Sequence, residues 1–181
     1  MKIINFSLAA YLSVSSHFCL MPIKRRYHLR KALLRQLTRE VIDRFGESAA
    51  ELLKGPIEAL ELEEGREIIL AAGEALLVRS SGKIFPTLKS LDRIPLKRVV
   101  VDMGAVPHVA NGADVMAPGV VSADGGVTLG EDVAIVDERH GKPIAVGQAL
   151  VPGAEMQGSR GKVIKNLHHV GDEMWRFLAK G

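Results

Sequence analysis

By residue type, seven side chains of this 181-residue chain could carry acid–base or metal chemistry: Asp102, His108, Asp114, His140, His168, His169 and Asp172. Their spacing argues against such chemistry. His168 and His169 are adjacent, so on a strand they point to opposite faces and do not share one metal ion. Cys19 is the single cysteine, which excludes an internal disulfide and any multi-cysteine zinc or iron–sulfur site. The serines fall in turns, without the strained strand-to-helix elbow that exposes a nucleophile. Asp102 and Asp172 each stand just ahead of a short helical pattern, where a carboxylate accepts hydrogen bonds from free backbone amides. The expectation is a protein with no catalytic residue, no metal and no cofactor.

A different constellation occupies 99–121, "VVVDMGAVPHVANGADVMAPGVV". Asp102 and Gly112 are explained by building a short helix between them, the glycine supplying the positive φ that ends it. Gly104, Ala105 and Ala113 are not explained this way. The stretch lacks the G-x-x-x-x-G-K-[ST] of a mononucleotide loop and the G-x-G-x-x-G of a dinucleotide fold. Two readings remain: minimal side chains that let a foreign backbone come close to free amides, or tight packing against a neighbouring strand.

Charge is segregated. Residues 24–44 hold eight cations (Lys24, Arg25, Arg26, Arg30, Lys31, Arg35, Arg39 and Arg44) against Glu40 and Asp43, while the whole chain carries only +3. The remainder is therefore acidic, and the basic character belongs to one segment. Such a segment suits an anionic partner or forms a solvated helix face. Aromatic residues make up 4% of the chain, too few for a base-stacking platform, so any nucleic acid would be held through its backbone and shape.

The elements that must position these residues are short. Leu29, Leu33, Leu37, Val41 and Phe45, with Leu34 and Ile42 beside them, predict an amphipathic helix over 29–45, stopped at Gly46. A second helix is expected over 48–54, then strands over 57–64, 66–72 and 74–80 and an irregular run over 82–95. Pro95 marks an expected boundary. Beyond it the pattern predicts a strand at 96–102, a helix at 104–112 and an extended run at 114–122. Strands at 132–138, 143–151 and 162–170 follow, and a helix at 172–180 closes the chain. Short, evenly spaced strands with glycine-rich turns indicate a small closed β structure. Val106 and Val109 are expected partly in the core, Trp175 and Phe177 in the core, and His108 at the surface. Residues 3–23 carry no Lys, Arg, Asp or Glu. They read as a leader or, since Met21 opens a plausible basic start, as an over-extended gene start; they are too polar for a membrane span. The lone cysteine makes an intracellular, cytoplasmic location the expectation.

The stretch 99–121, with "AVGQA" at 145–149 and "GKVIKNLHHVGDEMW" at 161–175, resembles the PUA domain, the RNA-binding module named for pseudouridine synthase and archaeosine transglycosylase. Ahead of it, "GEALLVRSSGKIFPTLKSLDRIP" at 73–95, with "FPTL" its sharpest part, resembles the N-terminal module of the malignant-T-cell-amplified-sequence family of translation re-initiation and ribosome-recycling factors and its archaeal relatives. The resemblance covers about 23–178. It implies an α+β fold: residues 1–20 apart, a pre-PUA module at 21–94 and a PUA pseudo-barrel at 95–181.

The resemblance also implies a non-catalytic RNA-binding protein of translation, acting on tRNA acceptor ends or the small ribosomal subunit and away from membranes. A density-regulated protein carrying a translation-initiation-like domain is the implied protein partner. Carried over by motif, the RNA-binding residues are Gly104, Ala105, Val106, His108, Gly112, Ala113, Met116, Pro118 and Gly119. Lys97, Arg98 and Gly147 follow by neighbourhood. Arg25, Arg26, Arg30, Lys31, Arg35 and Arg39, assigned to the basic helix, would meet phosphates of tRNA or rRNA. Lys89 either contacts RNA or sits where the two modules join. The alternative is an accessory RNA-binding module for RNA modification or ribosome biogenesis; a protein scaffold that binds no RNA ranks behind both.

Overall fold

The computed structural model describes residues 23–178. The readings of 1–20 as leader or false start, and the end of the closing helix, lie outside the described residues.

Two sheets organise the chain. Strands β1 (Ile23–His28), β2 (Ile57–Leu62), β3 (Glu67–Ala71), β4 (Glu74–Ser80) and β5 (Lys83–Pro86) pair consecutively as an antiparallel meander. One face of this sheet packs on α1 (Lys31–Phe45) through Ile57, Ala59, Ile69, Ala71, Leu77 and Ile84. After α1, a short α2 (Glu47–Ala50) and a tight 3-10 turn lead to Gly55.

The buried stripe of α1 is Leu34, Leu37, Val41 and Phe45; Leu33 is 47% exposed and Ile42 38%, against the expectation that both join the apolar face. At about 100° per residue, a four-residue step overshoots a full turn by about 40°, so Leu33 and Ile42 drift to opposite flanks of the stripe. Gly46 ends the helix as expected, with φ 85° and its amide on the Ile42 carbonyl at 2.9 Å.

β1 has no counterpart in the sequence reading, and it corrects the basic helix. Arg25 and Arg26 lie on this edge strand, not on α1, and pair across to β2: Arg25–Glu61 at 2.9 Å and Arg26–Glu58 at 2.6 Å. Arg30 occupies the N-cap position. Cross-strand ion pairs replace the apolar alternation by which a strand is recognised.

The second sheet holds β6 (Lys97–Val101), β7 (Val115–Met116), β8 (Val120–Ala123), β9 (Asp132–Asp137), β10 (Pro143–Ala149) and β11 (Lys162–His169) in the order β7-β11-β10-β9-β6-β8. Its two edge strands, β7 and β8, are joined by the three-residue turn Ala117–Gly119, so the sheet rolls into a nearly closed barrel. The expected single run at 114–122 is thus two strands at opposite edges, divided where Pro118 cannot continue the ladder. β6 and β9 are parallel; the other pairs are antiparallel. Val99, Val101, Val133, Ile135, Val163 and Ile164 fill the interior.

The two sheets share a third core. Leu60, Leu62, Ile68, Leu70, Val78 and Phe85 on the free face of the meander pack with Val146 of β10 and with Met174 and Leu178 of α4 (Glu173–Leu178). Phe177 packs against this cluster in part, whereas Trp175, expected in the core, is half-buried and stands outside it. The "FPTL" corner is pinned from within: buried Thr87 and Ser90 donate their hydroxyls to the carbonyls of Ala75 and Leu76. Lys89 reaches the Leu178 carbonyl at the module junction.

Asp172 caps α4. Its carboxylate accepts from the Trp175 amide at 2.6 Å and the His169 amide at 3.0 Å, and stands 2.7 Å from Nδ1 of His168. His168 is 1% exposed and His169 half-buried, which fits the opposite faces expected of adjacent strand residues. Burial pushes the Asp172 carboxyl up, but the His168 hydrogen bond and charge and the two amides outweigh it and hold the group below its ordinary value.

Candidate nucleic-acid interface

The small-residue motif builds a cleft. Asp102 follows β6 and its Oδ1 accepts from the Ala105 amide at 2.7 Å, closing a turn that launches α3 (Val106–Ala110). The carboxylate thus caps the turn before the helix and not the helix itself. α3 ends in a Schellman arrangement: Gly112 has φ 88°, its amide donates to the Val109 carbonyl at 3.0 Å, and the Ala113 amide to the His108 carbonyl at 3.0 Å. Asn166 of β11 clamps the same end, donating from Nδ2 to the carbonyls of Val109 and Ala113.

Between this turn, α3 and the β7–β8 connection lies an open cleft of about 560 Å³. Gly104, Ala105, His108, Ala113, Met116, Pro118 and Gly119 all line it, so seven of the residues carried over by motif converge on one surface. Packing accounts for part of their small size. A Cβ at Gly119 would stand 2.9 Å from that of Ala105, and one at Gly104 would stand 3.2 Å from Asp102 Oδ1. Ala113 is exposed.

Two charged lining residues are not among those the motif assigns to RNA binding: Lys162, which the sequence does not single out, and Asp114, which it offers only as an acid–base or metal candidate. Asp114 and Lys162 form an ion pair at 2.8 Å on the cleft wall, and Asp114 Oδ1 also accepts from the Asn166 amide at 2.9 Å. The Lys162 hydrogen bond, with help from that amide and against partial desolvation, holds the Asp114 carboxyl below its ordinary value. Only the β7–β11 pairing brings Lys162 here, and nothing local in the sequence signals it.

Other expected residues lie elsewhere. Val106 is partly buried against the barrel core, and Gly112 sits under the His169 ring. Gly147 is buried in β10, where a Cβ would meet Ile164 Cγ2 at 2.5 Å, the Lys165 carbonyl at 2.9 Å and Ile135 Cδ1 at 3.0 Å. It is a packing glycine and not a surface contact. Lys97 begins β6, at the opposite end of the strand from Asp102, and pairs with Glu131 at 2.8 Å. Arg98 is exposed and reaches the Gly141 carbonyl at 2.8 Å.

The basic segment does not join the cleft either. Arg44 pairs with Asp132 at 2.5 Å, tying α1 to the start of β9, again at the far end of the barrel. Asp132 is 5% exposed, and burial pushes its carboxyl up despite the Arg44 hydrogen bond and charge. Lys31, Arg35 and Arg39 recur every four residues and make a stripe about 180° around the helix from Arg44. Among the described residues these three have no ion pair. No group of three or more His, Cys, Asp or Glu placed to hold a metal ion occurs among the described residues. No described helix is long and apolar enough to cross a membrane.

Residues 97–170 match the PUA domain. An uncharacterized protein of Methanocaldococcus jannaschii is 44% identical over 87% of this chain and 99% of its own length. Malignant T-cell-amplified sequence 2 of Mus musculus is 32% identical over 68% of this chain and 72% of its own length. The chain belongs to this family of PUA-domain proteins. Translation machinery-associated protein 20 of Saccharomyces cerevisiae is 30% identical over 68% of this chain and 74% of its own length. The family fold is shared in three dimensions: the crystal structure of a hypothetical protein from Pyrococcus horikoshii OT3 superposes with a TM-score of 0.72 at 37% identity, covering 84% of this chain and 98% of that one. The expected fold class, an α+β N-terminal module followed by a PUA pseudo-barrel, is the one observed.

Proposed function

We propose that this protein is a non-catalytic, cytoplasmic RNA-binding factor of translation. On this reading it holds a tRNA acceptor end, or an RNA segment of the small ribosomal subunit, in the cleft between α3 and the β7–β8 turn. It acts in initiation, re-initiation or recycling, beside a protein partner with a translation-initiation-like domain. One observation carries the reading: seven residues of the PUA motif converge on one open cleft. The relationship to a yeast protein named for its association with the translation machinery supports the setting. The lining offers mostly small and apolar groups, with Asp102, His108 and the Asp114–Lys162 ion pair as its polar members, a surface for a base or ribose, while phosphates are held around it.

Ala113→Leu provides the test, because the side chain is exposed and its enlargement fills the cleft without disturbing the core. Wild type should bind tRNA, lose affinity when the terminal CCA is removed, and sediment with small ribosomal subunits from a cell extract. The variant should lose the preference for the intact end. Indifference of the wild type to the CCA end rules out acceptor-end recognition, and recovery with a modification enzyme or pre-rRNA instead of subunits overturns the translation role.

A further inference from the structure

The β9–β10 hairpin carries cations that neither the sequence motif nor the cleft uses. Glu138, Arg139, His140 and Lys142 are exposed at its tip, and the Arg98 guanidinium arrives from β6 to bond the Gly141 carbonyl at 2.8 Å. The side chains of Arg139 and Lys142 have no hydrogen bond or ion pair among the described residues. The tip nevertheless has a fixed shape. Asp137, 5% exposed, accepts from the His140 amide at 2.6 Å and the Lys142 amide at 3.0 Å, and its own amide and carbonyl bond Lys142 and Gly141. Gly141 takes the φ of 62° that this turn requires.

The tip also adjoins the cleft. Glu138 Oε1 accepts from the Met103 amide at 2.9 Å, and its own amide bonds the Val101 carbonyl at 3.1 Å, so the hairpin abuts the turn whose next residue, Gly104, lines the cleft. A strand seated in the cleft must leave it past one rim or another. On the β11 side the lining cation, Lys162, is already neutralised by Asp114. On the hairpin side stand three permanent cations, Arg139 and Lys142 on a turn that needs no ordering before it binds and Arg98 reaching that turn from β6.

We propose that the tip formed by Arg98, Arg139, His140 and Lys142 is a phosphodiester-binding surface that takes the RNA backbone as it leaves the cleft. This rests on the RNA-binding reading and adds the path of the strand to it. Arginine suits bidentate phosphate contact and lysine supplies a point charge. Neither contact reads sequence, so the tip contributes affinity to any RNA seated in the cleft.

The test uses the full chain and one intact tRNA, titrated at several salt concentrations with wild type, Arg139→Ala/Lys142→Ala, and Ala113→Leu. The double variant removes no structural side-chain contact, and thermal melting confirms that it folds as wild type does. Its affinity should fall about tenfold near 0.1 M salt, and the log–log salt slope should flatten by about 1.5, the loss of two phosphate contacts. Its preference for the intact CCA end should persist. An unchanged slope in the double variant, with binding weakened and the preference for the intact end lost in Ala113→Leu, overturns the hairpin surface and leaves the cleft standing. Unchanged binding in both variants places the RNA away from the cleft and overturns the hairpin surface with it, and a wild type that binds no tRNA removes the RNA-binding reading altogether.

Discussion

A methyl group added at Gly119 would stand 2.9 Å from the Cβ of Ala105, closer than real carbons approach. The turn joining β7 to β8 and the turn opening α3 therefore touch through their smallest residues, and this contact forms the inner corner of the cleft. Gly119→Ala should push α3 outward, since the neighbour is itself a short side chain with no rotamer to escape into. We expect a loss of about 1–3 kcal/mol, as for other overpacked contacts, measured by urea denaturation with an unchanged m-value. Ala113→Leu, exposed on the other wall, should leave the midpoint where it is.

Gly147 tests the barrel in the same way. Its absent Cβ would meet two side chains and one carbonyl within 3.0 Å, and the carbonyl belongs to the paired strand and cannot swing aside. Gly147→Ala should cost at least as much as Gly119→Ala, about 2–3 kcal/mol or more. It should depress RNA binding only in proportion to the unfolded fraction. A folded Gly147→Ala protein with specifically reduced RNA affinity would return this residue to the surface.

These two glycines mark the limit of what is legible from sequence. The motif at 99–121 is contiguous, so its turn, helix and cap are local events, and its clustering follows from chain geometry alone. Gly147 looks equivalent in a sequence because a packing glycine and a contact glycine share the same letter; only the strands beside it distinguish them. Lys162 was invisible because its cleft position depends on a strand pairing across the barrel. Arg25 and Arg26 read as helix because charged residues hide a strand whose partner is Glu58 and Glu61. Arg98 was selected by neighbourhood, and its reach to the hairpin came only from the fold.

Asp172 supplies a pH signature. Its carboxyl is held below the ordinary value in the folded protein, so the stabilisation is complete above the unfolded pKa of about 4 and is lost as pH falls through the folded value. Asp137 and Asp114 are depressed as well and act in the same direction. The wild-type unfolding midpoint should decline as pH drops below about 4. Asp172→Asn should unfold more easily at pH 7 by about 1–2 kcal/mol, from the weakened cap and the altered partner of a buried histidine. Its decline in acid should be shallower than that of wild type. Parallel acid profiles for the two proteins would show that Asp172 does not contribute to the slope.

Arg44 and Asp132 predict the opposite balance. Burial raises the Asp132 carboxyl even with Arg44 in place, so desolvation outweighs what the pair returns. For a group raised in the fold, ionisation above the folded pKa works against stability, and removing the charge relieves that cost. Asp132→Asn, which keeps a hydrogen-bond acceptor for Arg44, should change stability at pH 7 by less than about 1 kcal/mol in either direction. A loss of several kcal/mol in thermal or urea melts would mean that the pair fastens α1 to the barrel by itself, without the apolar core shared by the two sheets.

The placement of Arg44 also decides what the basic stripe can do. Arg44 meets the barrel at the start of β9, whereas the cleft opens beyond the far end of β6, which runs parallel to β9. Five strand residues separate the two ends, about 16 Å of backbone. Lys31, Arg35 and Arg39 face away from that junction, so a short RNA held in the cleft leaves them in solvent. Lys31→Ala/Arg35→Ala/Arg39→Ala should therefore bind an acceptor-stem minihelix as wild type does. With full tRNA or small subunits its affinity should fall, and the log–log salt slope should flatten by about 2–3. Equal losses on the minihelix and on full tRNA would place the stripe beside the cleft, contrary to the geometry of Arg44 and Asp132. No loss on either RNA, or on subunits, would leave the stripe as a solvated helix face.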